Sequence, residues 1–244
     1  MTLVELLVVI AILGILAAVL LPTLGRFKRE AKIHRARLEI DQIISAITEY
    51  ELANGRFPIS REAAIAAKTQ DDDLTYGGVI ENTHTWIAGP GPYLTNNCEL
   101  MAVLLDLEYY GDGTPTINQG HVKNPRRTKF LSASMPGGTN ASPGVGVDGI
   151  YRDPWGSPYM ITLDLNGDGR ARDCVYRKPA VSENPKDPTH GLNGLVRAGD
   201  AQGNTFFEAT APVIVWSVGP DRHLDDRQKA DEGVNRDNIL SWKR

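Results

Sequence analysis

The feature that most constrains this chain is an apolar run from Leu6 to Leu21, which Pro22 closes. One carboxylate, Glu5, stands at the start of the run, and the next charged residue is Arg26. A helix rises about 1.5 Å per residue, so the run matches the hydrocarbon thickness of a bilayer. A signal peptide would begin with basic residues, which are absent here. We therefore predict a helix that lies in lipid or among other apolar helices, rather than a signal peptide or a buried core helix.

Glu5 needs a partner in such a setting, because a carboxylate in a membrane helix costs about 3 kcal/mol unless it is paired. The nearest cation in its own chain is the α-amino group of Met1, which a helix does not readily bring back to position 5. A second copy, displaced along the helix axis, would place its Met1 amine beside Glu5. The alternative is a Glu5 that lies solvated among lipid headgroups.

Residues 2–10, Thr-Leu-Val-Glu-Leu-Leu-Val-Val-Ile, resemble the mature N-terminus of type IV pilins and type II secretion pseudopilins. That family has Glu at position 5 and usually Pro at position 22, and its leader is cut before a residue 1 that becomes methylated. The resemblance implies that Met1 is the mature first residue, although the family usually has Phe there. It further implies assembly into a filament, with unwinding of the helix in that filament between Gly14 and Thr23. The assembly residues are then Met1, Glu5, Gly14 and Pro22.

After Arg26 the helical pattern becomes amphipathic, with one apolar stripe at three- and four-residue spacing. Glu39 and other charged residues lie away from most of this stripe. A single stripe predicts docking against the chain's own globular part. The helix should end at Asn54-Gly55, and Pro58 should prevent it from restarting. The stripe consists of Ile33, Ala36, Ile40, Ile43, Ile44, Ile47 and Tyr50.

The domain organisation follows from these boundaries. Residues 1–53 form the long helix, with an apolar part (1–24) and an amphipathic part (25–53), and residues 54–244 form a globular head. The predicted fold class is α+β: the C-terminal half of the helix packs on a small antiparallel sheet with long loops, as in the pilin and pseudopilin fold. The head carries insertions at about 71–148 and 179–207.

Three stretches of the head resemble the G-type major pseudopilin of type II secretion systems. They are the turn at 54–58, the segment Asp-Pro-Trp-Gly-Ser-Pro-Tyr at 153–159, and the ending at 217–221 with 237–242. Ser60 should cap a second helix after the first turn, and 98–105 reads as another helix. Trp155 is interpreted as a core anchor in preference to a ligand-binding aromatic. Residues 212–217 and the alternation at 159, 161 and 163 predict strands.

The C-terminal resemblance implies that one calcium ion stabilises the head. The chain departs from the family in two ways, since Arg222 stands where Gly is usual and the final aspartate is one residue out of step. Calcium prefers oxygen ligands, and it would neutralise a crowd of carboxylates in a loop without an apolar core. The alternative is a solvated acidic loop. The candidate ligands are the side chains of Asp221 and Asp237, backbone oxygens of Ser217 and Val218, and the substitutes Asp225, Asp226 and Asp231.

A second candidate metal site begins at Asp164, where Asp-x-Asn-x-Asp-Gly has the spacing of the first half of a calcium loop. The twelfth position holds Val175 in place of the glutamate of an EF-hand. The alternative is a polar hairpin turn, which Asn-Gly and Asp-Gly favour. The candidate ligands are Asp164, Asn166, Asp168 and Asp173.

Cys98 and Cys174 are too few for a metal cluster and lack close spacing. A disulfide between them is one prediction, because the head of such a protein lies outside the cytoplasm. Two free buried thiols are the alternative.

No catalytic motif is present, and the net charge of -4 argues against nucleic acid. We therefore expect a structural subunit rather than an enzyme, either of a type II secretion pseudopilus or of a free surface filament. The family implies self-assembly, storage in the bacterial inner membrane, and periplasmic or extracellular filaments. It also implies an assembly platform, a prepilin peptidase and an assembly ATPase as partners. The alternative is a single-pass membrane-anchored ligand-binding protein that does not polymerise.

Overall fold

The structure, a computed structural model, describes residues 3–80, 85–89, 95–136, 142–200 and 203–243. Side chains are described throughout these ranges except at 17–23, 80, 85, 86, 88 and 89. The helices are α1 (Leu3–Asn54), α2 (Arg61–Gln70), α3 (Cys98–Leu104) and α4 (Pro179–Ser182). Short 3₁₀ turns occur at Gln119–His121, Leu192–Gly194 and Gly233–Asp237.

The strands form one five-stranded sheet and two small hairpins. The sheet has the order β2-β1-β5-β8-β9, and each neighbouring pair is antiparallel. The hairpins pair β3 with β4 and β6 with β7. This architecture confirms the predicted α+β class. The bounds are β1 Leu74–Ile80, β2 Thr85–Gly89, β3 Gly144–Val145, β4 Tyr151–Arg152, β5 Met160–Leu163, β6 Val196–Gly199, β7 Thr205–Glu208, β8 Val213–Ser217 and β9 Ile239–Leu240.

The five-stranded sheet has two buried faces. Successive side chains of a strand point to opposite sides, and in β5 Ile161 lies in the core that includes α1, whereas Met160 lies in the second core. In β8, Val215 and Trp216 divide in the same way. The second core is formed by the loops and short elements between residues 171 and 242. Trp155 is half-buried against the first core, which confirms it as a core anchor.

The C-terminal half of α1 docks on the sheet through the predicted stripe. Ala36, Ile43, Ile47 and Tyr50 are fully buried, and Tyr50 is fixed at both its ring and its hydroxyl. The hydroxyl donates to the Lys123 carbonyl over 2.6 Å, and the ring meets that of Phe130 edge-on at 5.3 Å.

The first two helices end and begin where the sequence predicts. Helix α1 ends at Asn54, and Gly55 adopts the left-handed conformation (φ 66°) that glycine tolerates, with its N–H bonded to the Glu51 carbonyl. Ser60 caps α2 by accepting the Ala63 N–H at 3.0 Å.

Glu39 corrects one sequence-based expectation, because it faces the head and is buried rather than lying away from the docking stripe. Its Oε2 accepts the Tyr159 hydroxyl at 2.6 Å, and its Oε1 accepts Arg35 Nε at 2.8 Å. Burying a carboxylate is tolerated when charged and polar donors satisfy it. Tyr159, the residue just before β5, supplies one of those donors, which a helical pattern alone cannot reveal.

The segment 71–148 is not only a surface insertion. Strand β1 lies inside the sheet between β2 and β5. Helix α3 has the predicted position, and Leu100, Val103 and Leu104 are fully buried in the α1-facing core. The first half of this segment therefore builds the core of the head.

The segment 179–207 behaves more like an addition, because its hairpin β6–β7 pairs outside the five-stranded sheet. Arg172 attaches the hairpin to the head: its Nη2 lies 2.7 Å from Glu208, and its guanidinium lies 3.8 Å from the centre of the Phe206 ring. Arg172 also pairs with Asp72 at 3.3 Å, just before β1. A network of this kind holds an added hairpin in one position.

The predicted disulfide between Cys98 and Cys174 is wrong in this structure, since both are free thiols. Cys98 begins α3, which packs in the α1-facing core, and its Sγ accepts the Tyr110 hydroxyl at 3.2 Å. Cys174 packs against the second core on the other face of the sheet. Burial raises the pKa of each thiol, and that of Cys174 rises well above its usual range. Such thiols are unreactive.

Candidate assembly surface and metal sites

The N-terminal part of α1 is exposed wherever the structure describes its side chains. All described side chains from Leu3 to Leu16 are exposed, and Leu3 and Ile15 have exposed fractions of 80% and 67%. An exposed apolar surface of this size marks an interaction surface. The apolar side chains involved are Leu3, Val4, Leu6, Leu7, Val8, Val9, Ile10, Ile12, Leu13, Ile15 and Leu16.

The backbone of α1 is helical without a break through Gly14 and Pro22. The expected unwinding between Gly14 and Thr23 concerns the filament and stays a prediction. Among the residues that the structure describes, no helix combines the length and apolarity needed to cross a membrane.

Glu5 lies in the first turn of α1 with its side chain exposed. A carboxylate there interacts favourably with the N-terminal end of the helix dipole. Met1, its expected partner in a second copy, lies outside the described residues. Pairing between copies therefore remains a prediction.

Asp221 and Asp237, the two main calcium candidates, lie together beside α1. The Asp221 backbone N–H donates to the Asp237 carboxylate, whose Oδ2 lies 3.7 Å from Arg29 Nη2. The other oxygen, Oδ1, is buried and has no hydrogen-bond donor among the described residues. Burial raises the pKa of Asp237, and the neighbouring charge of Asp221 raises it further. Two close carboxylates with an unused buried oxygen have the chemistry of a cation ligand pair.

The chain approaches this pair through a tight turn after β8. Gly219 has a φ of 76°, and a Cβ on it would lie 2.3 Å from the Asp237 carbonyl oxygen, so only glycine fits. Arg222 also has a positive φ, 59°, at the position where the family usually has glycine. Ser217 and Val218 are buried, and the Ser217 hydroxyl donates to Asp153 Oδ2 at 2.6 Å.

The three substitute ligands have surroundings that differ from those of the Asp221–Asp237 pair. Asp225 Oδ1 accepts the Arg227 N–H at 2.9 Å, Asp226 pairs with Lys178, and Asp231 is exposed. Within the described ranges, no group of three or more acidic, histidine or cysteine side chains is arranged to hold a metal. Asp221 and Asp237 are thus the acidic pair that the fold brings together, and any further ligands there would be other oxygens.

The loop that begins at Asp164 is closed by its own backbone. Asp164 accepts the Gly167 and Gly169 N–H groups, each at 2.7 Å, and Asp168 accepts that of Arg170 at 2.9 Å. Asn166 accepts the Asp168 N–H at 3.0 Å. These bonds are those of a polar turn.

Asp173 does not join that loop. It is buried on the second face of the sheet, where Oδ2 accepts Trp216 Nε1 and the Thr162 hydroxyl, each at 2.9 Å. Its Oδ1 accepts the Val175 and Tyr176 N–H groups. Four donors explain its burial and assign it to the core.

Two further buried carboxylates were missed by sequence reasoning. Asp73 accepts the Leu165 and Arg172 N–H groups, and Asp153 accepts the Ser217 hydroxyl. Burial raises the pKa of each to about 6, more than their hydrogen bonds lower it. The signal for Asp153 was its place in the 153–159 turn. Asp73, the last of three aspartates, has no local signal.

Comparison with known proteins gave partial matches to pilins and to one pseudopilin. The chain is 43% identical over 70 residues to the type IV major pilin protein PilE1 of Neisseria gonorrhoeae, covering 29% of this chain and 33% of the relative. It is 43% identical over 80 residues to a fimbrial protein of Neisseria meningitidis, covering 33% and 47%. The type II secretion system core protein G of Pectobacterium carotovorum is 38% identical over 69 residues, covering 28% and 44%.

The chain thus matches between a third and about half the length of these relatives. No family model matches it, and no solved structure does. The sequence matches are thus to type IV pilins and to pseudopilin G, and the long helix on a small antiparallel sheet matches the pilin fold.

Proposed function

We propose that this pilin-like chain is a structural, non-enzymatic subunit of a helical filament, either the pseudopilus of a type II secretion system or a related surface pilus. One observation carries the proposal: a single helix is buried against the head along its second half and exposed and apolar along its first. No described residue of the head covers residues 3–16. Copies of the same helix would cover this surface in an assembled filament.

Before assembly, the apolar part of α1 is held in the bacterial inner membrane. During assembly, Glu5 of one copy pairs with the N-terminal amine of its neighbour, which removes the cost of a buried carboxylate. After assembly, the heads line a periplasmic or extracellular filament. An assembly platform, a prepilin peptidase and an assembly ATPase are the partners that this role requires.

Calcium is part of the proposal at the Asp221–Asp237 pair. The unused Oδ1 of Asp237 and the nearby Asp221 carboxylate would hold it, and backbone oxygens of Ser217 and Val218 are candidates for further ligands. A bound cation would neutralise two carboxylates that otherwise repel each other, and it would fix the loop 221–237 against α1.

Substituting Glu5 tests polymerisation. Glu5→Ala should abolish filaments sheared from cells while leaving membrane-bound protein at its normal level. Glu49→Ala is the matched control, because Glu49 is an exposed acid on the same helix. Normal filament yield from Glu5→Ala would reject the pairing. Absence of filaments from the unsubstituted chain under assembly conditions would favour a membrane-anchored binding protein.

A further inference from the structure

A groove of about 850 Å³ lies where the end of α1, helix α2 and the loop after β5 meet. It lies between the last turn of α1, where Glu51 lines it, and the head. Glu5 and Gly14, the candidate assembly residues whose side chains the structure describes, do not line the groove.

Three cations line one part of the groove: Arg56, Arg61 and Lys123. None of them forms an ion pair within the part of the chain that the structure describes, whereas other cations of the head, such as Arg152 and Arg172, do. Burial lowers the pKa of Lys123, and the neighbouring charge of Arg56 lowers it further, whereas the charges of Glu62 and Glu99 partly oppose this shift. The three cations outnumber the two carboxylates of the lining, Glu51 and Asp164, so the lining carries a small positive charge, which attracts anions.

The loop that supplies Lys123 carries three more cations. Arg126, Arg127 and Lys129 are exposed. The loop is held in shape by Asn124, which accepts the Thr128 N–H at 3.2 Å and donates to the Thr128 carbonyl at 2.7 Å. Arg127 adopts a left-handed conformation (φ 53°), uncommon for a residue other than glycine. A preformed loop loses little entropy when it binds.

The rest of the groove is lined by different groups. Glu51, Asp164 and Asn166 supply hydrogen-bond acceptors, and the half-buried Phe57 supplies an aromatic surface. Burial raises the pKa of Glu51, and the nearby Asp164 raises it further. Carboxylates in this position accept hydrogen bonds from hydroxyl groups. They suit a ligand that carries hydroxyl donors as well as separate negative charges.

We propose that this groove binds an acidic polysaccharide, a polymer of sugars that each carry a carboxylate. Its carboxylates would pair with Arg56, Arg61 and Lys123, and its hydroxyls would donate to Glu51 and Asp164. The apolar face of a sugar ring would lie on Phe57. The exposed cations of the 123–130 loop would contact the next sugars of the polymer. This site goes beyond filament assembly and does not depend on it.

Titration calorimetry of the full-length chain in detergent micelles tests the proposal, with polygalacturonate as the probe and neutral dextran as its control. Polygalacturonate should bind, more weakly as salt is added, and dextran should not. The double variant Arg56→Gln/Lys123→Gln should weaken binding about tenfold, as expected for losing two charge contacts of about 0.7 kcal/mol each. Arg236→Gln, an exposed arginine outside the groove, should leave binding unchanged.

A second variant guards against misfolding of the first. Arg126→Gln/Arg127→Gln changes only exposed side chains and should weaken polygalacturonate binding by a few fold with an unchanged melting temperature. Equal binding by the unsubstituted chain and both double variants would overturn the proposal. So would tighter binding of a short DNA duplex than of polygalacturonate, with Glu51→Gln strengthening the DNA complex.

Discussion

The two halves of helix α1 share one backbone and have opposite surroundings. From Ala36 to Tyr50 an apolar stripe is buried on the head, with Ile44 half-buried, whereas from Leu3 to Leu16 every described side chain is exposed. A helix with one apolar stripe needs a partner on one face only, and a single head provides that partner. A helix that is apolar all round needs partners on every side. The comparison separates folding of the head, which depends on the second half, from assembly, which depends on the first.

The largest expected effect is a difference in stability between substitutions in the two halves of α1. Ile47→Ala removes a fully buried side chain and should destabilise the head by about 2–5 kcal/mol. Ile12→Ala removes an exposed side chain and should change the free energy of unfolding by less than about 0.5 kcal/mol. Urea unfolding of the full-length chain in detergent, followed by tryptophan fluorescence, measures both. Equal losses of stability would mean that the head also depends on the first half.

The stability of the head should depend on pH through its buried carboxylates. The folded-state pKa of Asp73 is raised to about 6 from a usual value of 3.8, so folding favours its protonated form. Its stabilising contribution is therefore complete below about pH 4 and is lost as the pH rises through 6. The loss is on the order of 2 kcal/mol. The pKa of Asp153 is raised in the same way, so its stabilising contribution is also lost as the pH rises.

Asp73→Asn isolates this contribution, because an amide does not titrate. The difference in unfolding free energy between the unsubstituted chain and the variant, measured from pH 4 to pH 7, should change in favour of the variant as the pH rises. Asp231→Asn, at an exposed position, should show no such trend. A pH-independent difference for Asp73→Asn would show that the carboxylate is ionised throughout.

Calcium should have the smallest effect, confined to the loop 221–237. Chelation should raise the rate of trypsin cleavage at Arg227 and Arg236, which are exposed, by several fold, and added calcium should restore protection. Asp237→Asn should remove the calcium effect, because it deletes one of the two paired carboxylates. Unchanged cleavage with and without the chelator would reject the site.

The elements that local patterns control were predictable. The helix boundaries at Asn54 and Ser60, helix α3 and strand β8 follow from caps, breakers and periodicity. The buried position of Glu39 was not predictable, because it depends on Tyr159, 120 residues away in sequence. The same holds for β1, whose place inside the sheet requires β5, and for the two thiols, which the sheet separates.

The roles of the candidate site residues were also predictable only in part. The family resemblance pointed to Asp221 and Asp237, and the fold brings these two together. It did not indicate that Asp173 is a core carboxylate with four donors or that Asp226 pairs with Lys178. Those roles depend on Trp216, Thr162 and α4, which come near only when the second core forms.

The central claim is that copies of this chain cover the exposed half of α1 for one another. Electron microscopy of filaments sheared from cells, at a resolution that traces the helices, tests it most directly. The account predicts that residues 3–16 of neighbouring copies are in contact, with a neighbour's amino terminus beside each Glu5. Filaments in which this segment stays exposed, or copies joined only through their heads, would contradict it.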